Sequence, residues 1–167
     1  RAKKKMAMIE PKPEFRARIN ELLRKEDKVY LEWIRKPITP TIRVNTLKIS
    51  KEKLKEKLEK KGWKISEKFD NAFIITSNLM PGELGKSLEH QLGYYYVQEL
   101  ASMMPPLAME LSKNDLVLDL CAAPGSKTTE IAALLENQGT IIANDIRIDR
   151  LKALSSNLER CGASNTI

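Results

Sequence analysis

The chain has 167 residues, 42% of them hydrophobic, and a formal net charge of +7, which suits one ordinary globular domain or a small domain followed by the start of another. No run approaches the roughly 18 apolar residues of a membrane helix, and the opening Arg1-Ala-Lys-Lys-Lys-Met lacks an apolar signal segment. Two cysteines, Cys121 and Cys161, are too few for a disulfide framework or a zinc site, so the expectations are a cytoplasmic or nuclear protein with reduced thiols, no membrane and no metal.

The charge is uneven. Residues 1–70 hold 22 Lys and Arg against 11 Asp and Glu, an excess of +11 that leaves −4 for the rest. Clustered cations favour a polyanionic partner, because each phosphate they neutralise releases condensed counterions. Helix faces rich in solvated Lys and Glu are the alternative.

In chain order, Phe15, Ile19, Leu22 and Leu23 have helical spacing, and Val29, Trp33 and Ile34 predict a second short helix ending before Pro37. Pro37 and Pro40 bracket a turn. Thr41-Ile-Arg-Val-Asn-Thr-Leu-Lys then reads as a strand with Ile42, Val44 and Thr46 on one face and Arg43 and Asn45 on the other. Ser50 is placed to cap a Lys51–Lys61 helix that Gly62 stops, with Leu54 and Leu58 as its apolar stripe. Trp63 and Ile65 begin one strand and Phe73-Ile-Ile forms its return arm after an Asp70-Asn71 turn.

A polar connection between Pro81 and Gly93 leads to a predicted helix from about Tyr96 through Met104, with Pro106 starting the next helical turn. Beyond Asp115 the pattern becomes strand (Leu116 to Leu120), helix (Ser126 to Leu135), strand (Thr140 to Ala143) and helix (Ile148 to Leu158). Near-continuous apolar strands between amphipathic helices predict a parallel sheet covered on both faces, with ligands at the carboxyl ends of the strands.

The segment Asp119-Leu-Cys-Ala-Ala-Pro-Gly-Ser-Lys-Thr-Thr ends the first buried strand and opens a helix. Ala122, Ala123 and Gly125 are small enough for a ligand to approach the backbone, Pro124 fixes the turn, and the first helix amides point outward. Asp145 ends the second strand about 20 residues on, where an acidic residue can accept hydrogen bonds from ribose hydroxyls. Asp119 is expected to tie the loop amides.

This segment resembles the cofactor loop of the Nop/Sun family of RNA (cytosine-5) methyltransferases. Thr41-Ile-Arg-Val-Asn-Thr-Leu is similar to that family's amino-terminal RNA-side signature, Gln98-Glu-Leu-Ala-Ser to the helix before its catalytic sheet, and Asp145-Ile-Arg-Ile-Asp-Arg150 to its next cofactor element. The resemblance runs from about Pro40 to Ile167 and departs at Ser126, where the family usually has a second glycine. It implies an α/β fold: a small RNA-binding α/β domain over residues 1–92, followed over 93–167 by the first βαβα half of a Rossmann-like methyltransferase domain.

It further implies that Cys121, Ala122, Ala123, Pro124, Gly125, Ser126 and Lys127 surround S-adenosylmethionine, with Asp145 at the ribose and Arg150 near the adenosine. Lys127 would also turn toward the target cytosine or its phosphate, and Arg43 and Asn45 would face RNA. A solvated lysine at Lys127 and a plain helix-face charge at Arg150 are the ordinary alternatives. Transfer RNA is favoured over ribosomal RNA, because the amino-terminal part looks like that of the compact archaeal or bacterial members.

Carbon 5 of cytosine is a poor nucleophile until a thiolate adds at carbon 6, so the reaction requires a cysteine. The family uses two, in a Pro-Cys segment and a Thr-Cys segment, and neither occurs here. Cys121 within the loop and Cys161 at a helix carboxyl end, which disfavours a thiolate, are both read as structural. The chain therefore reads as the amino-terminal part of an enzyme, ending where a third strand begins and inactive by itself. The alternatives are an inactive cofactor- and RNA-binding module, and a nicotinamide-dependent oxidoreductase, for which the loop has one glycine where three are required.

Overall fold

The computed structural model describes residues 11–36 and 38–167; the basic opening segment and Pro37, on which two of the expectations above fall, lie outside the described residues. The chain divides after Ile38 into two compact units. In the first, helix α1 (Pro13–Leu23) starts on a proline at its first position, where the missing N–H costs nothing. A tight turn over Arg24–Glu26 passes the chain to α2 (Asp27–Trp33). Ile19 is buried, and the Phe15 and Tyr30 rings lie 6.4 Å apart between centroids.

The second unit begins with an antiparallel sheet. Strand β1 (Thr41–Val44) pairs with β3 (Ala72–Ile75) on one side and with β4 (Tyr95–Val97) on the other, and β2 (Ile65–Glu67) pairs with the outer side of β3. Helix α3 (Lys51–Lys60) is capped by Ser50, whose side chain accepts from the Lys53 amide, and lays Leu54 and Leu58 on the sheet. Burying each leucine contributes about 2 kcal/mol. Ile42, Val44, Phe73, Ile75 and Tyr95 complete this core.

The structure differs from the sequence reading in three places. Tyr95–Val97 is the fourth strand rather than the start of a helix, so this sheet extends past the boundary expected at residue 92. The predicted long polar connection contains two single-turn helices, α4 (Glu83–Lys86) and α5 (Leu88–Gln91). Helix α6 (Leu100–Leu107) runs through Pro105 and Pro106, which deny donors to the carbonyls four residues earlier without ending the helix.

Beyond α6 the chain follows the expected alternation. Parallel strands β5 (Leu116–Asp119) and β6 (Thr140–Ala143) are joined by α7 (Ser126–Leu134), and α8 (Ile148–Cys161) runs three residues further than predicted before Gly162 caps it. Thr166 bridges Ile141 in parallel, so a third strand begins. Val117, Ile131, Ala132, Leu135 and Ile141 form the core on one face. The other face is open, with Leu116, Leu118 and Ile142 exposed, which corrects the expectation of a sheet covered on both faces. Among the described residues no helix is long and apolar enough to cross a membrane.

Arg43 and Asn45 do not face solvent, which corrects the expectation that they meet RNA. Strand β1 is buried on both faces, leaving Arg43 4% exposed, and Asn45, just past its end, is 2% exposed. Asn45 Nδ2 donates to the carbonyls of Gly93, at 2.8 Å, and Cys161, at 2.7 Å. Arg43 Nη2 donates to Thr129 Oγ1 at 2.8 Å.

Candidate cofactor site

The loop between β5 and α7 is held from below by two carboxylates. Asp119, at the end of β5, accepts from the Cys121 amide at 3.2 Å through Oδ1 and from the Thr128 hydroxyl at 2.8 Å through Oδ2. Asp145, just beyond β6, accepts from the Ala123 amide through Oδ2 and from the Arg147 amide through Oδ1, both at 3.0 Å. Its side chain is only 3% exposed. The Arg147 amide, opposed by partial desolvation and aided by the Ala123 amide and the Arg150 guanidinium, holds the Asp145 carboxyl below its ordinary value.

The carbonyls of the loop are also tied. Arg150 donates to the Ala123 carbonyl, its Nη1 lying 3.4 Å from Asp145, and Asn157 donates to the Pro124 carbonyl at 2.9 Å. The Gly125 amide closes the turn on the Ala122 carbonyl at 2.6 Å. Gly125 has φ +106, where a side chain is strained, and a β-carbon there would lie 3.1 Å from Leu154. Gly125 precedes α7, whose first amides have no partner within the helix and form an electropositive end.

The predicted residues are therefore brought together from Cys121 to Lys127, with Asp145 and Arg150 behind them. Cys121 and Pro124 are exposed, whereas Ala122, Ala123 and Gly125 are buried. Lys127 Nζ lies 3.2 Å from Ser102 Oγ, beside a cleft of about 190 Å³ lined by Pro105, Pro106, Met109 and Leu118. Arg43 and Asn45 are in the interior instead, below the loop and at the end of α8 respectively. Cys161 is fully buried, and burial pushes its thiol up.

Comparison with known proteins accounts for both halves. Residues 12–100 match the model described as the N-terminal domain of 16S rRNA methyltransferase RsmF, and residues 106–167 match 16S rRNA methyltransferase RsmB/F. The chain belongs to this methyltransferase family. It is 45% identical over 140 residues to ribosomal RNA small subunit methyltransferase F of Vibrio campbellii, which covers 81% of this chain and 29% of that protein. The enzyme of the same name from Shewanella amazonensis is 45% identical over 135 residues, 77% of this chain and 28% of that one. The chain thus spans less than a third of the length of these relatives.

Among solved structures, a methyltransferase homolog protein from Pyrococcus horikoshii superposes with a TM-score of 0.82 at 34% identity, over 94% of this chain and 52% of that one. NSun6 from the same organism, solved with SFG, gives a TM-score of 0.84 over 93% of this chain and 64% of that chain. At 24% identity it shows the shared fold.

Sequence reading missed the polar residues that support the loop. Gln98 Nε2 donates at 2.7 Å to Glu130, which is buried beside Arg43. Burial raises the Glu130 carboxyl, and the Arg43 charge opposes that rise. Glu130 lies two helix positions from the buried Thr128 and Ala132, inside a run buried from Thr128 to Ala133 that the apolar pattern of α7 does not carry.

Proposed function

We propose that this chain supplies the S-adenosylmethionine loop of an RNA (cytosine-5) methyltransferase acting on ribosomal RNA of the small subunit. The observation that carries this reading is the loop itself. Small residues from Ala122 to Gly125 leave the carboxyl end of a parallel strand, enter the amino terminus of α7, and are pinned by acidic side chains at the ends of two adjacent strands. The names of the bacterial relatives support ribosomal RNA, in place of the transfer RNA expected from the sequence.

The residues present fit the cofactor. Unpaired amides at the start of α7 would suit its carboxylate, the small loop residues would let it approach the backbone, and Asp145 Oδ1, which accepts the Arg147 amide alone among the described residues, would keep a lone pair for the ribose end. When bound, S-adenosylmethionine supplies a methyl group activated on a sulfonium. Cys121 to Lys127 would form its cradle; Asp145 fixes the Ala123 amide there and Arg150 the Ala123 carbonyl, and both would stand toward the adenosine. Lys127 stands at the cleft as a cation for the target base or its phosphate. The nucleophilic thiolate is assigned to neither Cys121 nor Cys161, so the chain by itself is expected to bind cofactor and turn over no RNA.

Calorimetric titration with S-adenosylmethionine tests this reading, comparing wild type with Asp145→Ala. Weakening by about tenfold or more, the scale of a lost pair of hydrogen bonds, is expected. Absence of binding by both the 167-residue chain and a longer protein carrying it would overturn the assignment.

A further inference from the structure

Arg43 sits in the middle of a buried strand, where an apolar side chain of the same volume would be cheaper to bury. Its Nε has no hydrogen-bond partner among the described residues, while Nη2 is spent on a single hydroxyl 86 residues away, that of Thr129 in the first turn of α7. An arginine only donates, so the Thr129 oxygen must accept, and its own proton is directed elsewhere. It points to the carbonyl of Gly125 at 2.7 Å, with the Ser126 carbonyl further off at 3.2 Å.

The same Gly125 carbonyl receives the Thr129 amide at 2.9 Å, and the Gly125 amide closes the loop on Ala122. A bonded path thus leads from the middle of the antiparallel sheet to the residue whose left-handed backbone turns the loop into the helix. Gln98, adjoining β4, grips Glu130 one residue further along α7, so the sheet holds the exit of the loop at two adjacent positions.

We infer that Arg43 is a positioning residue for the cofactor loop, acting through the Thr129 hydroxyl on the Gly125 carbonyl. The inference rests on the cofactor reading above and extends it to a strand residue that meets neither cofactor nor solvent. The amino-terminal sheet then has a defined part in cofactor binding. It sets the direction of the amides that begin α7, and a small rotation of the Gly125–Ser126 peptide would misdirect those donors.

The test is made on Thr129, because replacing Arg43 leaves Glu130 buried without its counter-charge and the variant can fail to fold. Thr129→Val keeps the shape and removes the hydroxyl, and Thr129→Ser keeps the hydroxyl and removes the methyl. The expected result is about tenfold weaker S-adenosylmethionine binding for Thr129→Val, the effect of one misdirected hydrogen bond, and binding within about twofold of wild type for Thr129→Ser. Without cofactor, amide exchange should accelerate in Thr129→Val at Ala122, Ala123 and Gly125 and not across the antiparallel sheet.

Wild-type affinity in Thr129→Val would overturn the inference, as would equal losses in the two variants or faster exchange spread evenly over the whole unit. Failure of wild type itself to bind, both as the chain and within a longer protein, would overturn the cofactor reading and this inference with it. Binding by wild type with an unaffected Thr129→Val would overturn this inference alone.

Discussion

Asn45 reaches across 116 residues to donate to the carbonyl of Cys161 at 2.7 Å, while its second amide hydrogen satisfies Gly93 at 2.8 Å. Cys161 is the last residue of α8, whose final carbonyls have no partner within the helix. One side chain just past β1 therefore completes a helix terminus and a tight turn together. Asn45→Ala orphans both buried carbonyls and should destabilise the fold by about 2–4 kcal/mol. Asn45→Asp should cost more, because it sets a carboxylate against two carbonyl oxygens. Urea unfolding at neutral pH measures both, and a change under about 0.5 kcal/mol in Asn45→Ala would show that the clasp carries no stability.

Gly93 has φ +73, and a β-carbon there would fall 1.9 Å from the Arg160 carbonyl oxygen, a backbone atom with no freedom to retreat. Gly62 has a similar φ of +83 with nothing within 4 Å of that position. Alanine at Gly62 should cost about 1 kcal/mol from backbone strain alone. Alanine at Gly93 should cost more than about 4 kcal/mol or prevent folding, since clash adds to strain. Comparable unfolding midpoints for the two variants would refute the close approach.

The sequence patterns that the structure reproduces are those set by local chemistry. Ser50 and Gly62 bound α3, the Asp70-Asn71 turn joins β2 to β3, and the βαβα order after Asp115 follows hydrophobic periodicity. The loop from Asp119 to Thr129 was legible because small residues and a proline at a strand end have few other uses. What was illegible depends on tertiary partners. Alternation placed Arg43 and Asn45 on an outer face, but periodicity reports two faces without saying whether a second layer covers one. Here α7 and the end of α8 supply acceptors there. Tyr96 and Val97 read as the start of a helix because a three-residue strand acquires its identity from its pairing with β1.

Tyr95 donates to the Leu84 carbonyl at 2.6 Å and lies 2.7 Å from the Ser87 hydroxyl. Burial pushes its hydroxyl up to about 12, with the Glu89 charge adding to the shift and the Ser87 bond opposing it. The folded state then holds this proton after the unfolded chain has lost it near pH 10. The contribution is fully present below about pH 10 and is lost as pH rises toward the folded value. Tyr95→Phe should cost about 1 kcal/mol at neutral pH from the lost hydrogen bond, and its deficit relative to wild type should shrink between about pH 10 and 12. A deficit that stays constant over that range would show that the hydroxyl titrates alike in both states.

Cys121 is exposed in the loop between β5 and α7, whereas Cys161 is buried with its thiol pushed up by burial. An aromatic disulfide reagent should therefore label the folded chain in one fast phase, with the second thiol reacting only on unfolding. Cys121→Ser should abolish the fast phase, and Cys161→Ser should leave it intact. Saturating S-adenosylmethionine should slow the fast phase by about tenfold at a concentration near ten times its dissociation constant, because a bound ligand shields the loop in proportion to occupancy. Labelling of Cys121 at an unchanged rate under saturation would place the cofactor away from this segment, and the assignment of Cys121 to Lys127 as its cradle would fail.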